Sequence, residues 1–193
     1  MSLILFNKPF GVMSQFSAHP TRATLASHID MPGVYPAGRL DADSEGLMLL
    51  TDDGELQHQI SHPDHGKLKT YLVQVEGLPL PEQLEKLRQP MNLGDFITRG
   101  SRTVRIEPPA WLWPRDPPVR ERRQIPTAWL AVTLSEGKNR QVRRMTAAAG
   151  LPTLRLVRSA IGPFSLSSHP LLPGESREVS EQEWREMKYD TEN

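Results

Sequence analysis

Gly38-Arg39-Leu40-Asp41-Ala42-Asp43-Ser44-Glu45-Gly46, running into Leu47-Met48-Leu49-Leu50-Thr51 and the turn Asp52-Asp53-Gly54, decides how this chain is read. Its second part is a continuous apolar run of strand length, bounded by glycine and by acidic turn residues. Such a run reads as a buried strand. Pro32-Gly33 and Pro36 break any helix leading into it. Its first part gathers Asp41, Asp43 and Glu45 beside Arg39. Counted from Asp41 it imitates a calcium loop, with acidic residues at the first, third and fifth places, glycine at the sixth and Asp52 at the twelfth. The flanks oppose that reading: no entering helix precedes Asp41, and a strand begins where ligands should still be coordinating. The other reading is a reactive carboxylate beside Arg39. A carboxylate next to a fixed positive charge stays ionised near neutrality and can act as a nucleophile.

Working outward, residues 3–6 read as a short strand ending at Asn7-Lys8-Pro9, and residues 14–24 as a loop. Residues 55–61 suit a short helix stopped before Pro63. Residues 69–76 alternate, with Tyr71, Val73 and Val75 on one face and Thr70, Leu72 and Gln74 on the other. A helix is expected over 81–89, with proline in its first turn. Strands are expected over 102–107 and 129–134, joined by a long exposed loop, 108–126. The clearest helix is 139–149, capped by Asn139 and ended by Gly150. It should bury Val142, Met145 and Ala149 and turn Arg140, Arg143 and Arg144 outward. A strand over 153–158 and an acidic helix over 181–188 complete the chain. With no repeat and no linker, residues 1–193 read as a single α+β domain with a mixed, mostly antiparallel sheet and flanking helices.

The composition narrows the chemistry. The 193 residues are 37% hydrophobic and 24% charged, ordinary for a folded domain, and contain no cysteine. Disulfides, thiolate metal sites and a cysteine nucleophile are thereby excluded, and a reducing compartment, the cytoplasm, is the expected location. No apolar run is long enough for a membrane span or a signal peptide. Formal net charge is +0, yet residues 99–158 carry 13 Lys/Arg against 4 Asp/Glu. That asymmetry points to an anionic partner meeting one face, or to oppositely charged parts pairing within the fold. His58, His62 and His65 lack a completing acidic ligand and read as solvated histidines; no metal site is expected.

Glu136-Gly137-Lys138-Asn139-Arg140-Gln141-Val142-Arg143-Arg144-Met145 places basic residues at a turn and a helix start, where backbone N–H groups favour phosphate. It is not a Walker A loop, since Val132 stands where the first glycine belongs, and no G-x-G-x-x-G follows a strand. Trp111 and Trp113 are interleaved with Arg115, Arg120, Arg122 and Arg123. This suits unpaired bases and phosphates, while the competing view tucks the tryptophans under the loop as anchors.

Five segments in order, Asn7-Lys8-Pro9-Phe10-Gly11, the stretch 38–47, Lys69-Thr70-Tyr71, the stretch 136–145 and Leu156-Val157-Arg158-Ser159-Ala160-Ile161-Gly162, resemble the pseudouridine synthases. The similarity is to the group that modifies ribosomal RNA and is typified by the small-subunit enzyme A. The resemblance implies the pseudouridine synthase fold with its central catalytic cleft. It implies isomerisation of a uridine in ribosomal RNA, most closely 23S RNA of the large subunit, free or in an assembling particle. The reaction conserves atoms, so no cofactor is implied. By resemblance Asp41 is the essential carboxylate, with direct attack at C1′ and a glycal-type route both open. Tyr71 is implied to stack on the target base and to help remove the C5 proton, Arg143 to pair with Asp41, and Leu156 to line the pocket. Arg39, Lys138, Arg140 and Arg158 are candidate phosphate contacts, and Arg115, Arg120, Arg122 and Arg123 a candidate RNA-binding loop. The target nucleotide is expected to leave its stack. The S4-type RNA-binding domain that relatives often carry before the catalytic motif is expected to be absent, and the chain to be a monomer. Two other functions fit parts of the pattern: a non-catalytic RNA-binding module, and a glycoside hydrolase using Asp41 and Asp43.

Overall fold

The computed structural model describes residues 2–61, 67–120, 122, 124–180 and 182–184. The strands are β1 (Leu3–Lys8), β2 (Tyr35–Pro36), β3 (Glu45–Thr51), β4 (Lys69–Glu76), β5 (Arg102–Ile106), β6 (Thr127–Leu134), β7 (Thr153–Ile161), β8 (Phe164–Ser165) and β9 (Ser176–Glu178). The α-helices are α1 (Gly54–Ser61), α2 (Pro81–Arg88) and α3 (Gln141–Ala148). Among the described residues, nine strands form one sheet in the order β5-β6-β4-β7-β3-β1-β9, with β2 added to β3 and β8 to β7. Every strand pairing is antiparallel except β3 with β7. The α+β class and mostly antiparallel sheet expected from the sequence are both present.

The apolar runs explain the layering. Every residue of β1 and β3 is buried. Alternate side chains feed two cores: Ile4, Phe6, Met48 and Leu50 on one face, Leu3, Leu5, Leu47 and Leu49 on the other. A strand covered on both faces cannot show polar alternation, which is why this run is continuous. β6 does alternate, burying Ala128, Leu130, Val132 and Leu134 while its other face stays half-exposed. Asp53 caps α1 through Oδ1, which accepts the N–H groups of Glu55 and Leu56 at 2.9 and 3.0 Å.

The structure departs from the sequence reading in several places: β1 runs on to Lys8, β6 begins at Thr127 and β7 continues to Ile161. α3 starts at Gln141, because Arg140 is left-handed at φ 49° and Asn139 does not cap the helix. Instead the Gln141 side-chain oxygen accepts the Lys138 N–H at 3.0 Å. The loop 108–126 is not simply exposed: Trp111 and Trp113 pack against the second core. Of the expected helix over 181–188, only residues 182–184 are described, and they are helical. No helix among the described residues is long and apolar enough to cross a membrane.

The parallel contact between β3 and β7 positions everything that follows. It consists of Glu45 opposite Val157 and Gly46 opposite Arg158. Gly46 has φ +106°, and a Cβ there would lie 2.3 Å from the Arg158 carbonyl oxygen. Gly46→Ala is expected to destabilise the protein by at least about 2 kcal/mol in urea denaturation; unchanged stability would mean that the two strands do not meet this closely.

Candidate active site

The Asp41 turn hangs from the N-terminal end of β3, at the β3–β7 junction. Backbone bonds close it: the Ser44 N–H donates to Asp41 O at 3.0 Å and the Gly11 N–H to Ala42 O at 2.7 Å. Ser14 braces its approach, its hydroxyl donating to Leu40 O at 2.6 Å and accepting the Leu40 N–H at 3.1 Å. Below the turn opens a cavity of about 530 Å³. Asp41, Tyr71, Leu156, Arg39, Lys138, Arg140 and Arg158 all line it. Residues from four separated segments of the sequence thus meet in one cleft large enough for a nucleotide.

Arg140 spans the mouth. Its Nη1 donates to Asp41 Oδ2 at 3.2 Å and to Asp43 Oδ1 at 3.1 Å, and its Nη2 to Asp43 Oδ2 at 3.0 Å. The expected partner, Arg143, lies behind the turn. Its Nη2 donates to the Asp43 carbonyl at 2.7 Å and sits 3.6 Å from the Asp43 carboxylate. The arginine touching Asp41 is therefore Arg140, and Arg143 holds Asp43 and the turn's backbone. The left-handed Arg140 explains the exchange: outside the helix, its side chain leaves the face shared by Arg143 and Arg144 and swings across the cleft. Arg144 is also paired, with Asp95, so this face is not a solvated stripe. Burial opposes ionisation of Asp43, but the Arg140 hydrogen bond and the charges of Arg143 and Arg140 outweigh it and hold the carboxyl below its usual range.

The cavity floor is cationic. Arg158 is 3% exposed; its Nε donates to Leu47 O at 2.8 Å, while Nη2 has no partner among the described residues. Lys69, 9% exposed, lines the same cavity, and burial followed by the charge of Arg158 pushes its pKa down. Sequence reading missed Lys69, although the alternation of β4 places residue 69 on the face of Tyr71.

The calcium-loop pattern dissolves in the structure. Glu45, 1% exposed, points into the sheet and accepts Arg155 Nε and Nη2, both at 2.9 Å. Trp113 Nε1 also donates to Glu45 Oε1 at 2.9 Å, and Arg155 Nη1 donates to Trp113 O at 2.9 Å. Asp52 accepts the Ser2 N–H at 2.7 Å. No group of His, Asp or Glu among the described residues is arranged to hold a metal ion. The tryptophans are loop anchors here, as the competing view had it. Arg115 lies over the Phe10 ring at 4.3 Å and donates to Pro117 O and Pro118 O. Arg122 is 3.5 Å from Glu76, Arg120 is exposed, and Arg123 lies outside the described residues, as do His62 and His65.

Lys8 sits behind the turn, donating to Pro9 O at 2.9 Å and Val12 O at 2.8 Å. Burial lowers its pKa to about 7, with Arg158 acting the same way and Glu45, Asp43 and Asp41 opposing.

A family model described as RNA pseudouridylate synthase matches residues 2–148. The chain belongs to that family and is an RNA pseudouridine synthase, an isomerase that turns uridine into pseudouridine. Among curated proteins it is similar to ribosomal large subunit pseudouridine synthase E of Xanthomonas campestris pv. campestris, 57% identical over 177 residues, covering 91% of this chain and 94% of the relative. The protein of the same name from Vibrio vulnificus is 53% identical over 178 residues, covering 92% and 75%. A solved structure described as a pseudouridylate synthase superposes with TM-score 0.78 at 28% identity, covering 96% of this chain and 73% of that one. An H/ACA ribonucleoprotein bound to a substrate RNA shares the fold alone, with TM-score 0.56 at 13% identity over 85% of this chain and 48% of that one.

Two outcomes test this geometry. Arg155→Met strands the Glu45 carboxylate in the interior and is expected to cost about 3–5 kcal/mol of stability by urea denaturation; a loss below about 1 kcal/mol would contradict the buried pair. For Lys8, the unfolded chain binds the extra proton between pH about 7 and 10.5, so stability rises with pH across that window. Lys8→Met is expected to flatten that rise, and an unchanged pH slope would remove Lys8 as its source.

Proposed function

We propose that the chain isomerises a specific uridine in 23S ribosomal RNA, acting in the cytoplasm as one monomeric catalytic unit. The observation that carries this reading is the convergence of Asp41, Tyr71, Leu156 and Arg158 on one cavity, in a chain more than half identical to proteins named for the large ribosomal subunit. Asp41 serves as the carboxylate at the ribose. The C1′–N1 bond breaks, the uracil turns, and C5 bonds to C1′. The C5 proton is then lost and N1 ends protonated, so atoms balance without a cosubstrate. Tyr71 and Leu156 hold the base between aromatic and apolar surfaces. Arg140 holds Asp41 until RNA enters, and Arg143 fixes the turn that presents it. Arg39, Lys138 and Arg158 meet the phosphates and polar atoms of the extruded nucleotide. Arg120 and Arg122 extend the contact from the loop, with Arg115 tied to Phe10 as the loop's inner support.

Asp41→Asn is expected to bind 23S RNA with unchanged affinity and form no pseudouridine. Chemical mapping of ribosomal RNA from cells lacking the protein should lose one site, restored by the parent chain and not by Asp41→Asn. Full restoration by Asp41→Asn would overturn the assignment and favour a role in binding alone.

A further inference from the structure

We propose that β5, the last strand of the sheet, carries an RNA track on its exposed side chains, with Arg99, Arg102 and Arg105 taking phosphates of the strand flanking the nucleotide in the cleft. This deepens the function proposed above and rests on it. β5 ends the sheet and is paired with β6 alone among the described strands. It begins at the cleft. The Arg99 N–H donates to Glu136 Oε1 at 2.9 Å, and Glu136 leads into Gly137 and Lys138, which line the cavity. Arg102 stands opposite Thr133, next to the cavity residue Leu134. Arg105 lies three residues further out, about 10 Å along the strand and on its opposite face, so that a strand of RNA following the edge would meet one arginine from each face.

The three side chains differ from the other arginines nearby. Arg140, Arg143, Arg144 and Arg155 each hold a carboxylate. Arg88, on the same edge, holds Glu85 and donates to Thr103 O. Arg99, Arg102 and Arg105 are exposed, and among the described residues their side chains hold neither a carboxylate nor a carbonyl. Residues 99–106 contain no Asp or Glu, and Glu107, the next acidic residue along the chain, forms no ion pair with them among the described residues. Arg102 and Arg105, about a Debye length apart with Arg99 before them, are like charges that repel in the free protein, and a polyanion lying along the strand relieves that repulsion. Charged edge strands also prevent sheets from pairing edge to edge. That role requires no alignment with the cleft and predicts no change in RNA affinity.

The test compares the full chain with Arg102→Gln/Arg105→Gln and with Arg105→Gln alone, using a 23S RNA transcript. At about 150 mM salt, the double variant is expected to bind about ten-fold more weakly and the single variant about three-fold. The slope of log affinity against log salt should fall by about 0.7–0.9 for each arginine removed. Turnover at saturating RNA should stay at the parent level. Parent affinity and parent salt slope in both variants would overturn the proposal, and self-association of the variants alongside them would assign the arginines to edge protection. Binding and salt slope are read without reference to modification. Failure of the parent to make pseudouridine would therefore count against the proposed function and leave the track to its own readout.

Discussion

Two opposed residue pairs, Glu45 with Val157 and Gly46 with Arg158, hold this molecule's functional geometry together. They form the parallel junction in an otherwise antiparallel sheet. Without it, the half built from β5, β6, β4 and β7 would not continue into β3 and β1. The half ending at β7 supplies Tyr71, Leu156 and Arg158, and the strand on the other side supplies the turn carrying Asp41. The cleft is the space at the end of this seam. A side chain at position 46 would wedge the seam open, so the backbone's closest approach and the site's assembly are one constraint.

Electrostatics then sort the basic residues into two populations. One is spent inside the fold: Arg155 on Glu45, Arg143 and Arg140 on the acidic turn, Arg144 on Asp95. The turn's two aspartates would repel each other and the buried Glu45 without them. The other population, Arg39, Lys138, Arg99, Arg102 and Arg105, faces outward around and beside the cleft. A chain with formal net charge +0 can thus present a cationic face to a polyanion, because its acidic residues lie elsewhere or are already engaged. Both readings of the charge asymmetry, internal pairing and an external partner, describe part of the molecule.

The site was legible where local pattern suffices. The apolar run 47–51 declares a strand covered on both faces, and strand parity puts Tyr71 on the face that meets the cavity. The resemblance collected Asp41, Leu156 and Arg158, which the fold brings together. What sequence could not show depends on long-range partners. Arg140 and Arg143 are three residues apart and look alike on a helical wheel; only the left-handed backbone at Arg140 sends one across the cleft and leaves the other behind it. Glu45 looks like a ligand in a loop until Arg155, 110 residues away, is seen beside it. Trp113 looks like a stacking platform until its N–H is found on that same carboxylate. Buried ion pairs and loop anchors leave no local periodicity to read.

In the function proposed for this chain, residue 41 works at the ribose of a nucleotide drawn out of its RNA into this cleft. A structure of the Asp41→Asn variant bound to its target RNA segment tests it most directly. In that complex one uridine is expected out of the stack, its C1′ beside residue 41, its base against Tyr71, and Arg140 turned away from the acidic turn. A fully stacked RNA lying across a cleft that holds no base, with Arg140 still closed on Asp43, would contradict it.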